Sequence, residues 1–207
     1  VPLYKHYHPE ANAAELADKH KVTAAVLDHL ADRHPDHDTI VDYAKKGVGE
    51  ATAFVRQKDF VTVPDEPLDV IVMPEFKRGA GIAYCDSPGP LEKNGKTFVA
   101  IEPTPHDWSA ARQLSFFREY NNYMIHDLVA HEAMPGHYLQ LQHSNQFKAP
   151  TLVRAMFQSG SMIEGWAVYM EQMMAENGYG GPEVKMEQLK MRLRVIVNAI
   201  IDQKIHA

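Results

Sequence analysis

The stretch HEAMPGHYLQ, residues 131–140, holds two imidazoles and a carboxylate within seven residues, donor types suited to a divalent transition ion. His131 and Glu132 open an H-E-x-x-H pattern, in which two histidines four apart share a helix face and the glutamate handles a proton. The second histidine is due at 135. Pro135 and Gly136 stand there instead, and the imidazole arrives as His137. Over six residues a regular helix turns about 600° and rises about 9 Å, leaving the two rings roughly 240° apart. Rings so placed cannot share an ion at nitrogen distances of about 2 Å. Pro135 has no N–H for the carbonyl of His131 and crowds it, at about 3 kcal/mol in a continuous helix. Gly136 permits backbone angles closed to other residues. The pair predicts a kink or bulge at 134–136 that returns His137 to the His131 face. The alternative is a plain junction, where one helix ends and another begins.

A third donor follows in SMIEGWAVYMEQ, which sets Glu164 among Met162, Ile163, Val168 and Met170. A carboxylate on an inward stripe is costly unless paired or metal-bound. The competing reading is a solvated carboxylate favoured near a helix start. Thermolysin-type zinc peptidases draw their third ligand from such a downstream helix. Glu132 would not ligate; it would take a proton from metal-activated water and pass it to a leaving amine. His126, five residues before His131, lies about 140° off its face and ranks as a second-shell or substrate group. His143 ranks below His137 as well. Gln140, one turn after His137, is expected to make a second-shell hydrogen bond. Two nitrogens and one carboxylate favour a single Zn²⁺, although iron oxygenases use a similar set.

These residues need elements to hold them. The 207 residues suffice for one domain with a sizeable core. A net charge of -6 without a basic cluster argues against a nucleic-acid partner. No apolar run approaches the roughly 20 residues of a membrane span. The single cysteine, Cys85, excludes an internal disulfide framework. The absence of an initiator methionine and the helix-like final stretch suggest an incomplete chain of unread compartment, cytoplasmic or exported. Residues 1–59 are expected as a helical lead-in, with helices over 9–34 and about 38–58. Residues 60–106 carry three β-type runs, LDVIVMP, GIAYCD and KTFVAIEP, with a hairpin signal at Asn94-Gly95. Tyr84 in the second run is a candidate substrate contact. Residues 107–207 supply the metal-site helices, the first running unbroken through LSFFREYNNYMIHDLVAHEAM. The expected fold is α+β, predominantly α-helical, with a small antiparallel β-sheet beside the active-site helix.

The paired phrases HEAMPGHYLQ and EGWAVYMEQ, with GIAYCDSPGPLEKNGKTFVAIEP upstream, resemble the bacterial domain-of-unknown-function 885 family over residues 60–206. The resemblance implies a largely helical, gluzincin-like metallopeptidase relative. It maps the ligands to His131, His137 and Glu164 and the general base to Glu132. The leading expectation is a zinc-dependent hydrolase acting on a peptide or small amide substrate. The alternative is a metal-bearing protein that binds peptides or a partner without turnover.

Overall fold

The computed structural model describes residues 1–79, 81–92, 95–147, 151 and 153–206. Three short helices lead in: α1 (Pro2–Tyr7), α2 (Ala13–Ala17) and α3 (Lys19–Ala31). The sequence pattern suggests one helix over 9–34, but two side-chain caps divide it. Asn12 and Glu15 form a reciprocal capping box at the start of α2. Asp18 accepts from the Lys21 N–H and starts α3. Each cap satisfies main-chain donors that a continuous helix would otherwise bond itself. The longer α4 (Ile40–Lys58) follows and ends on Asp59 in the left-handed conformation.

Three strands come next: β1 (Asp69–Val72), β2 (Ala83–Asp86) and β3 (Phe98–Ile101). Their order is β1-β3-β2. The sheet is mixed, which corrects the antiparallel expectation. β2 pairs antiparallel with β3, whereas β1 lies parallel to β3 on its other side. Local patterning reports which residues suit a strand and not which direction its neighbour runs. The central place of β3 follows from its unbroken apolar run, Phe98-Val99-Ala100-Ile101, the most buried of the three. The Asn94-Gly95 turn falls partly outside the described residues.

The helical part resumes with α5 (Ala110–Glu119) and α6 (Asn122–Glu132), then α7 (His137–Gln146), α8 (Val153–Met156), α9 (Gly160–Glu176) and α10 (Gly181–His206). The helix expected to run unbroken from 114 is divided at Asn121. This fully buried side chain accepts from the Tyr123 and Met124 N–H groups and donates to Glu187, so it caps α6 and ties it to α10. Ile40, Ala44, Ala51 and Val55 of α4 meet Ile125, Leu128 and Val129 of α6 and Val99 and Ile101 of β3 in one core. That core fixes α6 between the long helix and the sheet. The outer half of α10 leaves Leu193, Ile196, Ile200 and Ile205 exposed. Among the described residues, no helix is long and apolar enough to cross a membrane.

Between α6 and α7 the chain breaks completely rather than bulging within one helix. The Ala133 and Met134 N–H groups both bond the Val129 carbonyl, at 2.9 and 3.1 Å. Leu139 N–H reaches back across the break to the Ala133 carbonyl at 3.4 Å. Met134-Pro135 is a cis peptide, and Trp166 of α9 donates its indole N–H to the Pro135 carbonyl at 2.8 Å. Gly136 is required here for space. Its φ is an ordinary -75°, but a Cβ would sit 1.7 Å from the His131 carbonyl oxygen and 2.5 Å from that of Ala130. Both obstacles are backbone of a packed helix and cannot move aside. Gly136→Ala is therefore expected to destabilise the protein by more than about 3 kcal/mol in urea unfolding; an unchanged midpoint would refute the close approach.

Candidate metal centre

The break brings the two imidazoles together. The rings of His131, in the last turn of α6, and His137, the first residue of α7, are 4.6 Å apart between centroids and nearly perpendicular, at 84°. Ser159 starts α9 by accepting from the Met162 N–H, and the first turns of that helix deliver Glu164. One Glu164 oxygen, Oε2, lies 3.6 Å from His131 Nε2 and 3.7 Å from His137 Nε2. Ligand atoms of these three residues all lie within 4.8 Å of one another. Around a tetrahedral ion, donors at about 2.0–2.1 Å stand about 3.3 Å from each other. The two Glu164 distances are close to that spacing already, and the Glu164 side chain, 66% exposed, has room to adjust.

A buried carboxylate orients the first of these ligands. His131 Nδ1–H donates to Glu171 Oε1 at 2.5 Å, and Glu171 is only 3% exposed. With the proton held on Nδ1, the Nε2 lone pair is free to face Glu164 and His137. Glu171 follows Glu164 by two helical turns, so one face of α9 supplies both carboxylates. That spacing is visible in EGWAVYMEQ, but its meaning depends on α6 lying alongside. His137 lacks such a partner: among the described residues its buried Nδ1 makes no hydrogen bond, and neither does the buried Oε1 of Gln140.

The electrostatics favour a positive charge at this point. Burial alone would push the His131 pKa down, but the Glu171 hydrogen bond and the Glu171, Glu132 and Glu164 charges together hold it above its ordinary value. Burial, then the neighbouring His131, pushes His137 down. A positive charge is thus favoured at His131 and disfavoured at His137. The donor types, their spacing and this charge preference fit a divalent ion held by His131, His137 and Glu164.

Glu132 lines the same cleft without belonging to the triad. Burial raises its pKa, partly offset by the His131 charge and by a hydrogen bond from the Cys85 main-chain N–H of β2. The cleft, about 440 Å³, runs from β2 across to α7 and the start of α9, and Tyr84 is in its lining. The Tyr84 ring packs edge-on to Phe98. Cys85 has a thiol pushed up to about 12 by burial, which makes it unreactive. His126 is not brought to the cleft. Its Nδ1 meets Tyr179 Oη at 3.0 Å and its Nε2 faces Glu50 at 3.6 Å, on the α4 side of α6. His143 bonds the Thr62 carbonyl at 2.8 Å and steadies α7.

With this geometry established, the chain can be set beside known proteins. Residues 8–207 match the family model described as bacterial protein of unknown function, DUF885. The chain belongs to the DUF885 family. A solved structure described as "a putative lipoprotein of unknown function" from Shewanella oneidensis is similar to 99% of this DUF885 chain at 37% identity, with a TM-score of 0.79. A "putative lipoprotein" from Colwellia psychrerythraea shares the fold over 93% of the chain at 22% identity, with a TM-score of 0.63. The chain spans 36% and 33% of those two proteins, about a third of each. No curated protein matches it.

Behind the centre, Asp127 lies one turn before His131 and is 2% exposed. Burial, then the Glu171 charge, raises its pKa well above the ordinary value, so the folded protein favours its neutral form. A raised carboxyl pKa gives stability that is complete below the unfolded pKa and lost as pH rises through the folded one. In chelator-treated protein, Asp127→Asn should therefore gain stability relative to the parent as pH is raised from about 4 towards neutrality. Urea melts at a series of pH values measure this, and a pH-independent difference would contradict it.

Proposed function

We propose that this chain carries a zinc-dependent hydrolytic centre acting on a peptide or related amide bond. The observation that carries the reading is the convergence of His131, His137 and Glu164, with Glu132 beside them in one open cleft. A zinc ion bound there would supply Lewis acidity towards a carbonyl and lower the pKa of water towards about 7.

Each other role falls to a residue of the chain. Glu171 holds the His131 tautomer, so that the ring need not reorganise when an ion arrives. Glu132 is the proton carrier. Its burial keeps the carboxyl pKa above the ordinary range, which brings it nearer to that of the acidified water it must deprotonate. As the residue after His131, it sits beside the triad without competing for ligation.

The substrate class is supported by the edge of the sheet. Among the described residues, β2 bonds β3 alone. Ile82 O accepts from Glu102 N–H, and Tyr84 faces Ala100, so residues 82, 84 and 86 turn their main-chain groups inward to β3. By alternation, Ala83 and Cys85 turn theirs outward, to the cleft side. An extended peptide can add there as a further strand, its carbonyl directed at the triad.

The test is Glu132→Gln, compared with the parent after both are loaded with zinc. The variant should keep its zinc and lose turnover of a quenched-fluorescence peptide library by about 10²–10⁴-fold. Equal turnover in the two proteins would remove Glu132 from its role. Zinc retention with no turnover in either would favour peptide or partner binding without catalysis.

A further inference from the structure

Three carboxylates line the cleft, Glu132, Glu164 and Asp86, and no lysine or arginine is among its described lining residues. The reading above employs the first two. With a dication held by the triad, Glu164 and Glu132 balance its charge, and Asp86 is the acid left over. Asp86 ends β2 and is exposed. Among the described residues its carboxylate enters no hydrogen bond or ion pair. The Lys77 ammonium lies 5.9 Å from the centre of the Tyr84 ring and makes no ion pair with Asp86.

The surroundings suit a cation with an aliphatic stem. Tyr84 and Asp86, two apart on a strand, present an aromatic ring and a carboxylate on one face. Pro88, Leu141 and Ile163 add apolar wall to the same cleft. A lysine or arginine side chain of a bound peptide could lay its methylenes on such surfaces and carry its charge to Asp86. A carboxylate facing a cation across a partly enclosed cleft discriminates against neutral residues and more strongly against acidic ones.

We propose that Asp86 makes the cleft select peptides bearing a basic side chain near the bond to be cleaved. The inference rests on the peptidase reading for its substrate and on the Asp86 carboxylate, unpaired among the described residues, for its selectivity. The test uses one peptide series differing at a single residue, with lysine, arginine, glutamine or glutamate in that place. Two readouts run in parallel: kcat/KM on the zinc-loaded protein, and fluorescence anisotropy of the labelled peptides binding to Glu132→Gln. The basic peptides should lead the glutamine peptide on the order of tenfold in both, and the lead should shrink between about 0.05 and 0.5 M salt. Asp86→Asn should reduce the lead to about twofold or less, and Asp86→Lys should reverse it in favour of the glutamate peptide. The reversal is a gain that a misfolded variant cannot mimic.

The outcomes separate the two ideas. Turnover with the same preference in the parent and in Asp86→Asn, or with no preference at all, overturns the role of Asp86 and leaves the hydrolase. A preference in binding that follows Asp86, with no peptide cleaved, upholds that role and overturns the hydrolase. No turnover by the parent together with no binding of any peptide to Glu132→Gln overturns both.

Discussion

The carbonyl oxygen of His131 and the α-carbon of Gly136 approach so closely that a methyl group has no room between them. The meeting of the two histidines depends on that contact. It lets the chain leave α6 and start α7 within four residues, with the first imidazole at the end of one helix and the second at the beginning of the next. A continuous helix would set these rings on different sides of its axis. A longer connection would separate them and add freedom that an ion would have to overcome. The Trp166 indole bonds the Pro135 carbonyl, so the same helix that brings Glu164 also holds the break in shape.

Around this junction, buried charge is arranged in layers. His131 is held by Glu171, and Asp127 lies behind it on α6. Farther back, Glu187 is fully buried, accepts from Asn121 and pairs with Lys190 at 2.8 Å. Isolated carboxylates in such a place would be costly. Here burial favours the neutral form of Asp127, the others are hydrogen-bonded or paired, and together they bias the centre towards a cation. The outward edge of β2 supplies the opposite wall, and its Cys85 main-chain N–H helps to offset the burial of the Glu132 carboxyl.

Much of the centre could be read along the chain because its parts lie in short phrases. His131, Glu132 and His137 share ten residues, and Glu164 begins a second phrase. What could not be read were relations between elements. Glu171 stands in the quoted phrase EGWAVYMEQ, yet its partner is 40 residues away, and no local pattern joins them. His126 looks like a site histidine by proximity in sequence, but helical rotation turns it towards α4 and Tyr179. The helical class was plain from periodicity. The divisions at Asp18 and Asn121 are hidden in the pattern because a cap competes with a favourable apolar stripe, and the stripe dominates the periodicity. The parallel pairing of β1 with β3 was hidden for a similar reason: strand direction is decided by connections, not by the residues within the strand.

What decides the matter is the first coordination sphere of the ion. X-ray absorption at the zinc edge, on protein loaded with one equivalent of zinc, observes it without reference to activity. The spectrum should be fitted by two imidazoles and one carboxylate oxygen with light-atom distances near 2.0–2.1 Å, and His137→Ala should remove one imidazole from the fit. A spectrum with a single imidazole in the parent, or one left unaltered by His137→Ala, would contradict the convergence on which everything else here is built.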